Sequence, residues 1–97
     1  MFYVYVIQSE NDRDRFYVGF SADLRQRLSQ HNDGSNHSTR GHKWSLVYYE
    51  AYVTRGAAVK RERVLKNDGR TRRHLMERIR DMLSEEPFNG GERRTGE

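Results

Sequence analysis

A chain of 97 residues, 34% hydrophobic and 33% charged, with one proline and no cysteine, describes one small domain and leaves no room for a second. The lack of cysteine excludes a disulfide-stapled secreted module, a thiolate zinc site and a cysteine nucleophile, and points to a reducing compartment. The net charge of +4 is polarised: residues 55–80 carry ten basic side chains against Glu62, Asp68 and Glu77, the electrostatic footprint expected of a phosphate-binding face.

The run Phe2-Tyr3-Val4-Tyr5-Val6-Ile7 is continuously β-branched or aromatic, as in a strand covered on both faces. It is too short for a membrane span or the core of a signal peptide, and the expected location is cytoplasmic. After a polar loop at residues 9–14, Arg15-Phe16-Tyr17-Val18-Gly19-Phe20 reads as a second strand, antiparallel because the link is short. Ser21 or Asp23 is placed to cap a first helix, with Leu24 and Leu28 on its buried stripe and Asn32-Asp33-Gly34 ending it. Residues 35–43 are rich in Asn, His, Ser and Gly and are expected to form a long, mobile loop.

Trp44-Ser45-Leu46-Val47-Tyr48-Tyr49-Glu50-Ala51 returns to strand composition and rejoins the sheet. Thr54 is an N-cap for a second helix running to about Lys66. Asn67-Asp68-Gly69 is expected to stop it through residues that tolerate left-handed geometry, and Thr71 to cap a third helix with Leu75, Ile79, Met82 and Leu83 on its apolar stripe. The fold class is therefore α+β, a three-stranded antiparallel sheet flanked by helices in the order β-β-α-β-α-α. The domain is expected over residues 1–84, and residues 85–97, without periodicity, as a disordered tail.

Tyr3, Tyr5 and Tyr17 lie on two neighbouring strands, which cross-strand aromatic pairing alone would explain. Arg27 and His31 stand four apart on one face of the first helix, with Arg27 at the border of the buried stripe, where its stem can lie on apolar surface while the guanidinium reaches into a groove. Glu62 lies at the edge of the second helix's apolar stripe. Its partner is Lys66 at i+4 or, alternatively, a divalent cation, for which carboxylate and water oxygens are natural ligands.

Val4-Tyr5, Tyr17-Val18-Gly19, Asp23-Leu24-Arg25-Gln26-Arg27-Leu28 with His31, Thr39-Arg40-Gly41 before Leu46-Val47-Tyr48, and Glu62 within Arg61-Glu62-Arg63-Val64-Leu65-Lys66 together resemble the GIY-YIG endonuclease superfamily. The chain is similar to its small stand-alone bacterial members, relatives of the amino-terminal domain of the excision-repair incision subunit. The resemblance implies the same fold and a metal-dependent DNA endonuclease, structure- rather than sequence-selective, working in repair or recombination. It implies catalytic roles for Tyr5, Tyr17, Arg27, His31 and Glu62: Glu62 holding one Mg²⁺ or Mn²⁺, Arg27 offsetting phosphate charge, Tyr17 taking the proton of the attacking water, and Tyr5 and His31 orienting water and phosphate. Three departures stand out: Tyr3 replaces the glycine of the first motif half, Val4 and Val18 replace isoleucines, and Phe20 follows Gly19 where some relatives carry lysine or a small polar residue.

Arg40, Lys43, Arg61, Arg63, Lys66, Arg70, Arg72 and Arg73 are candidates to follow the DNA backbone without reading bases. The substrate is expected to be branched or nicked DNA, with selectivity from DNA shape or from a protein partner, no membrane association, and a monomer or weak homodimer. The alternative is a non-catalytic nucleic-acid-binding module of the same fold.

Overall fold

The computed structural model describes residues 1–85, and the proposed tail lies outside them but for Glu85. The chain runs β1 (Phe2–Ser9), β2 (Phe16–Ser21), α1 (Leu24–Asn32), a 3₁₀ turn (His37–Thr39), β3 (Trp44–Tyr52), α2 (Arg55–Asn67) and α3 (Gly69–Ser84). The element order and the α+β class are those expected. β1 is the centre of an antiparallel sheet of order β2-β1-β3, which explains its unbroken apolar run. Val4, Val6 and Ile7 are fully buried and Tyr5 nearly so, because alternate side chains feed two different cores.

On one face, Val4, Val6 and Val18 pack with Ala58 and Leu65 of α2 and Leu75 and Ile79 of α3. On the other, Tyr5, Ile7 and Trp44 pack with Tyr17 and with Leu24 and Leu28 of α1. One helix thus covers part of one face while two cover the other. Met82 and Leu83, expected on the buried stripe of α3, are 47% and 43% exposed. The helix of 16 residues, about 24 Å at 1.5 Å per residue, carries its last turn past the packed core.

The helix ends follow from local hydrogen bonding. Asp23 caps α1 by accepting from the Gln26 N–H, and Ser21 Oγ braces it by accepting from the Asp23 N–H at 2.9 Å. Thr54 caps α2, accepting from the Ala57 N–H. Between α2 and α3 the expected left-handed stop is absent. Asp68 has φ −105° and ψ 99°, ending α2 in extended geometry and itself capping α3. Its carboxylate accepts from the Arg70 and Thr71 N–H groups and from the Thr71 hydroxyl at 3.1 Å. Thr71 is therefore inside the helix rather than at its cap, because a carboxylate three residues earlier has already taken the free N–H groups.

A β-bulge leaves Val47 unpaired between Val6↔Tyr48 and Ile7↔Leu46. Beyond it Tyr48, Glu50 and Tyr52 turn toward α2. The Glu50 carboxylate accepts from Arg61 Nε and Nη2, both at 2.9 Å, and from the Tyr48 and Tyr52 hydroxyls, both at 2.5 Å. Burial would raise the Glu50 carboxyl, but these hydrogen bonds override it and hold it at about 2, against an ordinary 4.5. Glu50→Gln should destabilise the fold by about 2–3 kcal/mol at neutral pH, because it leaves partly buried donors short of acceptors. A depressed folded-state pKa contributes stability that is present above 4.5 and lost as pH falls through about 2. Urea titrations of both proteins should therefore show a gap at pH 7 that closes between those values.

No helix among the described residues is long and apolar enough to cross a membrane.

Candidate functional site

The site forms where β1 and β2 meet α1. Antiparallel register sets Tyr5 opposite Gly19 and Ile7 opposite Tyr17, so the two tyrosines share the α1 face. Tyr5 lies over the glycine: a Cβ at Gly19 would fall within the van der Waals envelope of the Tyr5 hydroxyl oxygen and Cζ, and 2.8 Å from Cε2. Residue 19 is thus glycine for space, since its backbone is not in the left-handed region.

The Tyr5 hydroxyl meets His31 Nε2 at 2.7 Å, and His31 Nδ1 meets Thr39 Oγ1 at 2.6 Å. Thr39 donates to the Asn36 carbonyl at 3.4 Å. Its hydroxyl oxygen therefore accepts from Nδ1–H, which leaves Nε2 to accept from Tyr5. His31 is fully buried. Burial, then the Arg27 charge, lower its pKa and keep the imidazole neutral. Burial raises the Tyr5 pKa against the opposing charge and hydrogen bonding of Arg27, so Tyr5 remains a protonated phenol with Arg27 beside it.

A neutral buried His31 has a measurable consequence. The unfolded chain takes up a proton at the ordinary pKa of 6.5 and the folded chain only at lower pH, so stability from this group is present above 6.5 and lost as pH falls below it. Melting temperature should decline from pH 7.5 to 5.5 in the wild type, and the His31→Gln variant should lack that part of the slope.

The Tyr17 ring packs edge-on against His31 at 5.1 Å between centroids and tilted against Trp44 at 6.4 Å. Lys66 Nζ stands 5.1 Å from the Tyr17 centroid, a cation–π contact, and 3.2 Å from Glu62 Oε2. α2 lies on the opposite face of the sheet, so its Glu62–Lys66 pair meets Tyr17 at the edge formed by β2. The Glu62 charge is also felt at Tyr5. The fold thus brings Tyr5, Tyr17, Arg27, His31 and Glu62 together from four elements, β1, β2, α1 and α2.

Beside Tyr17 an open groove of about 560 Å³ is lined by Asp14, Phe16, Lys66, Arg72 and Arg80 among others. Arg80 lies over the Phe16 ring at 5.2 Å. Of the eight basic residues expected to follow DNA, Lys66 and Arg72 line this groove. Arg63, Arg70 and Arg73 are exposed on α2 and α3. Arg40 donates from Nε to the Gly34 carbonyl at 3.1 Å. Lys43 lines a separate hollow with Asn32, Asp33 and His42. Arg61, expected to face DNA, is instead held by Glu50 and fastens α2 to β3.

Thr39, Trp44 and Arg80 were not among the residues expected at the site. The segment 35–43, expected to be mobile, is tied down by a buried Thr39, by the Trp44 indole N–H donating to the Thr39 carbonyl at 2.9 Å, and by Asn36 capping the 3₁₀ turn. Its function in the fold is to deliver Thr39 to His31. Only the order Thr39-Arg40-Gly41 before β3 gave any sign of it.

A family model described as the GIY-YIG catalytic domain matches residues 1–80. The chain is similar to a UPF0213 protein of Haloquadratum walsbyi, 33% identical over 76 residues that cover 76% of this chain and 83% of the relative. It is also similar to one of Streptococcus pyogenes, 32% identical over 66 residues, 66% of this chain and 70% of the relative, and to one of Staphylococcus saprophyticus, 27% identical over 73 residues, 73% and 87%. No solved structure matches the chain.

Proposed function

We propose that this chain, which belongs to the GIY-YIG catalytic-domain family, is a metal-dependent DNA endonuclease that selects substrates by structure rather than by sequence. The observation that carries the reading is the assembly of two phenols, a neutral imidazole, a guanidinium and a carboxylate around Tyr5, with a basic groove opening beside Tyr17.

The two phenols differ in environment, and their roles follow. Tyr5 is buried, hydrogen-bonded and held protonated, so it orients rather than accepts a proton. Tyr17 lies half-buried and lines the groove, which makes its oxygen the one that can take a proton from an attacking water. Arg27, permanently charged and forked, pairs with the phosphate oxygens and offsets the charge that builds on them. His31, fixed by Thr39, accepts a hydrogen bond from the Tyr5 hydroxyl and turns the Tyr5 lone pairs toward Arg27.

Glu62 would hold the metal. Among the described residues no three His, Cys, Asp or Glu converge on a cation site, but a hydrated Mg²⁺ or Mn²⁺ needs only one or two carboxylates beside substrate phosphate. The half-buried Glu62 carboxylate already attracts the Lys66 ammonium and supplies oxygen donors of the right kind. When bound, the ion would supply Lewis-acid stabilisation of the scissile phosphate and leaving oxygen.

Lys66, Arg72 and Arg80 are suited to the phosphates next to the cut, with affinity that falls as salt rises. The cellular role follows the family: repair or recombination in the cytoplasm, acting as monomer or weak homodimer, with a protein partner adding selectivity. The test is nicking of supercoiled plasmid and of a branched oligonucleotide at low salt with Mg²⁺ or Mn²⁺. Metal-dependent nicking is expected; binding without cleavage under all these conditions would make the protein a nucleic-acid-binding module instead.

A further inference from the structure

The α1 face of the sheet is only partly covered. α1 packs over Tyr5, Ile7 and Trp44, whereas the end of that face beyond Tyr5 carries Tyr3 and Tyr49, which lie outside this packed cluster among the described residues. Tyr49 is directly opposite Tyr5 across the β1–β3 ladder and is 54% exposed. Tyr3 and Tyr49 meet edge-to-face, 5.8 Å between centroids at 71°. The residues paired with Tyr3 on either side are Ser21 and Ala51, too small to cover a ring. A half-buried Tyr3 and an exposed Tyr49 thus form an aromatic shelf next to Tyr5.

We propose that Tyr3 and Tyr49 form a stacking platform for an unpaired nucleobase of the DNA strand being cut, so that the protein prefers single-stranded or frayed DNA at the cleavage point.

The inference rests on the DNA-nuclease reading above and adds the substrate class. Aromatic faces beside a cationic track are how single strands are held without reading sequence, because every base offers a π face. A base inside an intact duplex is stacked on its neighbours and cannot reach such a shelf without being turned out. The position fits that use: Tyr49 is the side chain directly across the ladder from Tyr5, the residue that has Arg27 beside it. A pair present only to stabilise the sheet would not need an exposed ring face at an edge strand, where uncovered aromatic surface invites self-association.

The test measures binding of the full chain, without metal, to a labelled single-stranded oligothymidylate of about 12 nucleotides and to a duplex of the same length. Tyr49→Ala and Tyr49→Leu should each weaken the single strand about 10-fold and the duplex less than about 2-fold, and Tyr49→Trp should restore single-strand affinity. The slope of log affinity against log salt should not change, since no phosphate contact is lost. Equal weakening of both ligands, or no weakening of either, would overturn the platform. So would a wild-type dimer in sedimentation that Tyr49→Leu dissociates without selective loss of single-strand binding. Wild-type cleavage is scored separately: selective stacking without cleavage at any metal or pH refutes the nuclease reading alone, and cleavage without selective stacking refutes the platform alone.

Discussion

Tyr17→Phe should lower the rate of metal-dependent strand cleavage by about 10²–10⁴-fold, the range expected when a general base is removed, with little change in DNA affinity or melting temperature. The substitution is well suited to the question, because Tyr17 meets His31, Trp44 and Lys66 through its ring and phenylalanine keeps that ring. Only the hydroxyl oxygen is lost. Arg27→Ala should cost about 10²–10³-fold, as for other preorganised charges aimed at a developing anion. Glu62→Ala should abolish the response to Mg²⁺ or Mn²⁺. A Tyr17→Phe enzyme that keeps most of its rate would place the base elsewhere. Tyr5 is then a poor replacement, because burial holds its proton on and its hydroxyl donates a hydrogen bond to His31.

The parts of this arrangement legible in the sequence are those fixed by local pattern. The six-residue apolar run of β1 could only be a doubly covered strand, Leu24 and Leu28 oriented α1, and the edge positions of Arg27 and Glu62 on their helices are half-buried as the 100° periodicity required. Long-range partners were not legible. Nothing near Arg61 in sequence announced Glu50, eleven residues back on another element, so a structural ion pair looked the same as a free DNA contact. Arg80 stood outside the motif, and its seat over Phe16 depends on α3 crossing the β2 edge. The composition of residues 35–43 suggested a long polar loop but did not reveal its anchors, one buried Thr39 and one indole N–H. The mistaken cap at Thr71 is of another kind. Both Asp68 and Thr71 are capping residues, and the carboxylate prevailed because it reached two backbone N–H groups and the Thr71 hydroxyl at once.

Gly19→Ala should be among the most damaging small substitutions in the chain, costing about 2–4 kcal/mol from overpacking together with a disrupted buried hydrogen bond. Residue 19 is buried and extended in β2, so a methyl group would ordinarily favour the strand rather than harm it. The damage comes from what lies above. The added Cβ would collide with the Tyr5 hydroxyl oxygen and Cζ, and Tyr5 has no room to withdraw, because its oxygen is bonded to His31 and His31 in turn to Thr39. Moving the ring would leave the buried His31 Nε2 without its donor and take Tyr5 away from Arg27, so cleavage should fall along with stability. At about 4–8 °C per kcal/mol for a domain of this size, the melting temperature should drop by roughly 8–30 °C. Tyr5→Phe removes the oxygen nearest the new methyl, so Gly19→Ala combined with Tyr5→Phe should be less destabilised than the sum of the two single variants, by on the order of 1 kcal/mol. A Gly19→Ala protein that melts with the wild type would mean that the Tyr5 ring can relocate freely, and the fixed Tyr5–His31–Thr39 chain would no longer account for the site.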